Sequence, residues 1–81
     1  MAVTISASVG SGGVNKKADV LAIQKALNKI PSNQGGPDPK LKEDGWIGPK
    51  TNFAILKFQK ANQGLLHDGR IDVTGPTLVR I

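Results

Sequence analysis

The sequence contains no cysteine, one histidine, one tryptophan and two phenylalanines. Without cysteine the chain can form no disulfide, no thiolate zinc site and no cysteine nucleophile, so packing alone must hold the fold together. No apolar run approaches the roughly 18 residues that are needed to cross a bilayer. We therefore predict that the chain has no membrane-spanning segment and that the membrane is not its partner.

The first residues, MAVTISASVGSGG, lack the basic start and the apolar stretch of a secretory signal. We predict no Sec signal peptide in this chain. If the domain acts outside the cytoplasm, it is expected to belong to a longer exported chain or to leave by another route.

The chain length and the net charge limit the possible folds and partners. With 81 residues the chain is expected to form one domain, residues 1–81, with a single small core. The net charge of +5 permits attraction to polyanions such as nucleic acid or an anionic cell wall. The lysines are scattered along the chain, which we interpret as a solvated basic surface.

Residues 18–30, ADVLAIQKALNKI, carry the apolar spacing of one face of an amphipathic helix. We expect Asn15 to be the N-cap, Asp19 to lie in the first turn and Pro31 to end the helix. The following stretch, residues 31–43, has three prolines and no periodicity, and it predicts a long loop anchored by Leu41.

Residues 44–51, DGWIGPKT, predict a turn that leads directly into a second helix, residues 49–63. The Asp-Gly pair supplies the turn, Ile47 enters the core, and Pro49 is suited to the first helical position. Gly64 is expected just after the helix.

Two stretches of the chain repeat one pattern. VLAIQKA, residues 20–26, matches ILKFQKA, residues 55–61, and the turn pattern returns in DGRIDVTGPT, residues 68–77, with DVT as an insertion. The second turn predicts a third, short helix from Pro76. The predicted fold is an all-α, compact three-helix bundle of two related helix-turn units with an extended N-terminal arm, residues 1–13. Part of the arm is strand-like, and Ile23, Leu27, Phe53 and Phe58 are expected in the core.

These motifs together resemble the type 1, three-helix peptidoglycan-binding domain family. The resemblance rests on DVLAIQKALN, DGWIGPKTNFAILKFQ and GLLHDGRIDVTGPT, and it covers roughly residues 12–81. It implies a targeting module of the kind that accompanies cell-wall hydrolases and related exported or phage proteins. Three features depart from the family pattern: the long loop 31–43, the DVT insertion and the early end of the third helix. The loop and the insertion leave the expected fold intact but bear on the shape of the family's ligand surface.

The sequence offers few residues that could carry out catalysis. His67 is the only imidazole, and its neighbour Asp68 lies in a turn, where adjacent side chains seldom face each other. Asp44 and Asp68 resemble a carboxylate pair, and Asp68 with Asp72 could offer oxygens to calcium, but both Asp-Gly positions have a structural role in turns. We predict that the protein is not an enzyme and uses no cofactor and no metal.

Trp46 is the strongest candidate for ligand binding. Its place between Gly45 and Ile47 predicts an outward side chain that stacks on a sugar face, although it could equally fold down as a lid on the core. Arg70 holds the corresponding place in the second turn, where its guanidinium is suited to a carboxylate or is simply solvated.

Other polar residues complete the candidate site. Gln24 and Gln59 occupy matching places in the two helices, where we expect their amides to cap the facing turns. In the loop, Asn33, Gln34 and Lys40 offer hydrogen-bond donors to polar ligand groups.

The sequence therefore predicts a monomeric, non-catalytic module that binds peptidoglycan through stem peptide and glycan. It would tether a fused or associated cell-wall hydrolase or secreted effector at the bacterial cell wall or periplasm, or act in a phage or secretion system. A protein-docking adaptor of the same fold is the alternative. Nucleic-acid binding ranks lower, because the basic residues do not gather on one helix and aromatics are few.

Overall fold

The computed structural model describes residues 3–62, 64, 65, 67–73 and 77. In chain order these residues form strand β1 (Val9–Gly10), helix α1 (Lys17–Asn28), helix α2 (Pro49–Ala61) and strand β2 (Arg70–Ile71). A single turn of 3-10 helix, Ser32–Gln34, lies between the two helices. Neither α1 nor α2 is long and apolar enough to span a bilayer.

Helix α1 is slightly shorter than the predicted 18–30. Its last turn tightens, because the N–H groups of Lys29 and Ile30 bond to carbonyls only three residues earlier. The N-cap prediction was wrong: Lys16 holds that position. Asn15 instead adopts φ 60° and its side chain bonds the backbone of Gly10, which fixes the bend between β1 and α1.

Helix α2 begins at Pro49 as predicted and ends two residues before the expected 63. Ala54, Ile55 and Phe58 face the core. Phe53 does not, because successive helical residues are rotated by about 100° and Ala54 occupies the buried side. Phe53 is 69% exposed, so its assignment to the core was wrong.

The two strands distinguish the fold from the predicted all-α bundle. Strands β1 and β2 are antiparallel, with Val9 opposite Ile71 and Gly10 opposite Arg70. The strand-like part of the arm is therefore limited to its end, where it pairs with the second turn. The described residues are mostly helical, with two helices and this small sheet. The predicted third helix from Pro76 lies outside them except for Thr77, which is buried.

Every part of the described chain contributes residues to the core. A short chain can therefore still bury several apolar side chains completely. The arm, α1, α2 and the end of the chain around β2 all contribute. Its buried members are Ile5, Val9, Val20, Ile23, Leu27, Ala54, Ile55, Phe58, Leu65 and Ile71. Leu41 and Ile47 pack against this core as predicted.

The loop of residues 31–43 is tied down along its length. The Asn28 side chain bonds both backbone groups of Leu41, at 2.8 Å each, and Lys57 donates to the carbonyl of Gly36. Gly36 lies so close to α1 that a Cβ there would be 1.9 Å from the carbonyl oxygen of Ile30. The loop therefore forms a fixed wall beside α2.

Candidate functional site

The first turn is held by the buried side chain of Gln24, which is 1% exposed. Its Oε1 accepts the N–H groups of Asp44 and Gly45, at 3.1 and 2.9 Å. Its Nε2 lies 3.1 Å from three acceptors: Asp44 Oδ1, the Trp46 carbonyl and Thr51 Oγ1. We call this network of Gln24, Asp44–Trp46 and Thr51 the first clasp.

Gln59 makes the same network with the second turn, and we call it the second clasp. Its Oε1 accepts the Gly69 N–H at 2.8 Å, and its Nε2 reaches Asp68 Oδ1, the Arg70 carbonyl and Thr77 Oγ1 at 2.9, 3.1 and 3.2 Å. The predicted capping role of both glutamines is confirmed. Thr77 reaches its place despite the DVT insertion, so the second unit keeps its internal bonds while its turn is longer.

Both turn aspartates are acceptors for backbone N–H groups. The N–H of Trp46 bonds Asp44 Oδ1 at 2.9 Å, and that of Arg70 bonds Asp68 Oδ1 at 3.0 Å. These backbone bonds lower the pKa of each carboxyl below its usual value, with further help from the glutamine amides. In the arm, the Ser6 N–H leads the same effect on the pKa of Asp19. The three aspartates thus hold the fold as carboxylates.

Acid is therefore expected to destabilise the domain. A folded-state pKa below the unfolded value gives stability that is present above the unfolded pKa and lost as the pH falls through the folded pKa. Since the ordinary value is 3.8, the free energy of unfolding should begin to decline below about pH 5 and continue below 3.8. Urea unfolding between pH 7 and pH 3 measures this slope.

The Asp44→Asn variant should show a shallower slope, because it removes one of the linked carboxyl groups. Asp38→Asn is the matched control: Asp38 is exposed and makes no hydrogen bond to the residues that the structure describes. A slope unchanged by Asp44→Asn, or equally reduced by both variants, would contradict the prediction.

Trp46 points outward and is 73% exposed, so it is not a lid on the core. Its side chain borders a groove of about 420 Å³ between the first turn, the loop and the start of α2. A second groove of about 360 Å³ lies between the loop and α2 and is lined on the helix by Lys50, Phe53, Ala54 and Lys57. Both volumes lie in the range of small-ligand pockets, about 300–1,000 Å³.

Leu41, Lys42 and Lys50 line both grooves, which therefore form one continuous depression. We call it the loop–helix groove. Each of its two parts is lined by an exposed aromatic side chain, Trp46 in one and Phe53 in the other. Apolar and aromatic walls with a few polar groups are the usual features of a ligand site.

A family model described as a peptidoglycan binding domain matches residues 16–74. The chain belongs to this peptidoglycan-binding domain family. The match includes α1, the loop, α2, β2 and all of the first clasp. No curated protein and no solved structure is significantly similar to the chain. Membership indicates peptidoglycan binding and cell-wall association in general, in a family that is typically non-catalytic.

The predicted site residues of this peptidoglycan-binding domain fall in different places. Trp46 and Lys40 line the loop–helix groove. Arg70 lies on the second turn, where its Nε is 3.0 Å from Asp72 Oδ1. Asn33 and Gln34 are exposed on the 3-10 turn, and neither they nor Arg70 are among the residues that line the groove.

Sequence reasoning missed the part of the groove that α2 provides. Phe53, Lys50 and Lys57 share a face of α2 that turns toward the loop. A signal was present, because Phe53 and Ala54 are adjacent and only one of them can face the core. The sequence could not show that the loop would lie against the opposite face.

In the described part of the chain, no three His, Cys, Asp or Glu side chains come together as a metal site. His67 is exposed, and the neighbouring Asp68 is engaged in the second clasp. Asp72 pairs with Arg70. The geometry thus gives Asp68 and Asp72 structural contacts.

Proposed function

We propose that this domain binds peptidoglycan in the loop–helix groove, with Trp46 stacked on a sugar ring and the stem peptide lying along the groove. The observation that carries the proposal is a 73% exposed tryptophan beside a groove in a member of a peptidoglycan-binding family. An exposed tryptophan costs solubility, and an indole face suits the apolar face of a sugar.

The first clasp supports the proposal because it fixes the backbone that carries Trp46. Both the N–H and the carbonyl of Trp46 are bonded within the clasp, to Asp44 Oδ1 and Gln24 Nε2. An aromatic side chain on a fixed backbone loses little conformational entropy on binding, so a shallow site can retain useful affinity.

The polar candidate residues differ in how directly each would contact the ligand. Lys40 lines the groove, and we assign the N–H donors that its bond to the Asn28 carbonyl leaves free to polar groups of the stem peptide. Arg70 is a secondary contact, since it lies outside the groove and its Nε already faces Asp72, which leaves only its Nη groups for a ligand carboxylate. Asn33 and Gln34 would meet only a longer glycan that extends past the groove.

A site this small is suited to tethering. We propose that the domain raises the effective concentration of a fused or associated cell-wall hydrolase or secreted effector at the bacterial wall, as a monomer and without catalysis of its own. Weak binding by one module is sufficient when the attached activity is held near its substrate.

Trp46→Ala is expected to weaken binding to purified insoluble peptidoglycan by about tenfold or more, which corresponds to roughly 1.4 kcal/mol of lost stacking. Co-sedimentation at about 50 and 300 mM salt separates this site from screened surface charge. Trp46→Phe should restore part of the binding.

Val14→Ala is the matched control, because Val14 is also apolar and 64% exposed but lies outside the groove. Binding that is equally affected by Val14→Ala and Trp46→Ala at both salt concentrations would argue against the site. A protein-docking adaptor would then be the better interpretation.

A further inference from the structure

Four lysines line the loop–helix groove, and they are not equivalent. Lys40 donates to the carbonyl of Asn28 at the end of α1, and Lys57 donates to the carbonyl of Gly36 in the loop. These two ammonium groups brace the walls of the groove. Lys42 and Lys50 line the shared middle of the groove and bond to nothing among the described residues.

The acidic residues that line the groove are too few to neutralise its four lysines. Asp38 and Asp44 are the acidic residues among those that line it. Asp44 already accepts from the first clasp through Oδ1. Glu43 is bonded to Asn28 at 2.9 Å and does not line the groove. Four lysines against two aspartates therefore give the lining of the groove a net charge of +2. Lys42 is close enough to Asp44 to help lower the pKa of that carboxyl, but it forms no ion pair with it.

We infer that Lys42 and Lys50 select peptidoglycan whose stem peptides carry free carboxylates, and that amidated stem peptides bind more weakly. This inference rests on the proposed function and names the chemical feature that the groove recognises. Each ammonium group can make a charge-assisted hydrogen bond to a carboxylate, and such bonds are about twice as strong as neutral ones. Trp46 and Phe53 then contact the sugar and apolar side chains on either side.

The first turn does not provide the backbone cradle of a phosphate site. Phosphate sites commonly use a cradle of free backbone N–H groups. In the first turn these groups are already occupied: Gln24 Oε1 accepts from Asp44 and Gly45, and Asp44 Oδ1 accepts from Trp46. The first turn thus offers no free N–H group to the groove, which is also lined by the start of α2 and by the ammonium groups of Lys42 and Lys50.

The test compares two preparations of insoluble peptidoglycan, both stripped of phosphate-containing polymers. One is left untreated and the other has its carboxylates chemically converted to amides. The wild type should bind the amidated preparation about tenfold or more weakly. The double variant K42Q/K50Q should bind untreated peptidoglycan that weakly and should not distinguish the two preparations.

The matched control is K16Q/K25Q, which removes the same charge from exposed lysines outside the groove. It should lose little affinity at 150 mM salt and should still prefer the untreated preparation. Thermal unfolding of each variant verifies that the fold is retained.

The outcomes separate this inference from the proposed function. Wild-type protein that binds both preparations equally would overturn the selection of carboxylates and leave peptidoglycan binding intact. Equal loss in the two double variants would also overturn it, because general charge would then explain the effect. Binding to neither preparation would overturn the proposed function itself, and binding only before the phosphate polymers are removed would identify phosphate as the ligand.

Discussion

Replacing Gln24 by leucine is expected to lower the free energy of unfolding by about 3–5 kcal/mol, which is most of the stability of a typical domain of this length. Leucine nearly fills the volume of the glutamine but can neither donate nor accept. The N–H groups of Asp44 and Gly45 and the carbonyl of Trp46 would then lose their partner in a buried or half-buried place. Each unpaired buried group costs about 1–3 kcal/mol.

Urea unfolding of three variants tests this expectation. Gln59→Leu should be similarly destabilising, because Gln59 holds the second clasp with the same atoms. Gln34→Leu is the matched control: Gln34 is exposed, and its replacement should change stability by no more than about 0.5 kcal/mol. A loss below about 1 kcal/mol for both clasp variants would show that the glutamines do not hold the turns.

The clasp connects stability with binding. Since Gln24 fixes the backbone of Trp46, a Gln24→Leu protein that remains folded at low temperature should also bind peptidoglycan more weakly. The indole would lose its fixed position although no groove-lining aromatic has been removed.

Gly10→Ala is expected to destabilise the domain by at least about 3 kcal/mol, through strain at positive φ and a clash with the neighbouring strand. Gly10 has φ 115°, and a Cβ built there lies 2.1 Å from the carbonyl oxygen of Gly69. The clash is with backbone, so β1 and β2 would have to separate. That separation would also disturb the pairing of Val9 with Ile71 in the core.

Substitutions at two other glycines separate the backbone strain from the steric clash. Gly12 has φ 72°, and a Cβ there would meet only the flexible end of the Arg70 side chain, at 4.0 Å, so Gly12→Ala should show the strain alone, about 1–2 kcal/mol. Gly48 has extended backbone and nothing within 4 Å, so Gly48→Ala should lose only the preference for glycine over alanine at an N-cap, less than about 1 kcal/mol. Thermal unfolding that ranks Gly10→Ala no worse than Gly12→Ala would show that the contact between the strands is dispensable.

Several parts of the fold could be predicted because they depend on neighbouring residues alone. The apolar spacing of residues 20–27 and 54–58 is enough to place two helices, and Gly48-Pro49 is enough to begin the second. Matching Asp-Gly turns after matching glutamines predicted both clasps, since a buried amide at a fixed helical position needs a partner of fixed geometry. The outward direction of Trp46 was one of two open alternatives, and its 73% exposure decided between them.

The sequence by itself therefore determined the two helices, the paired turns with their glutamine caps, and the family. Tertiary structure alone decided the rest. The strand pairing of Val9 with Ile71 joins residues 62 positions apart, and no local pattern in two-residue strands can specify such a partner. The groove exists only because the loop is bonded to α1 and α2 through Asn28 and Lys57. The fold also decides which lysines of the groove bond to backbone carbonyls, as Lys40 and Lys57 do. Residue type alone does not distinguish these two lysines from the others.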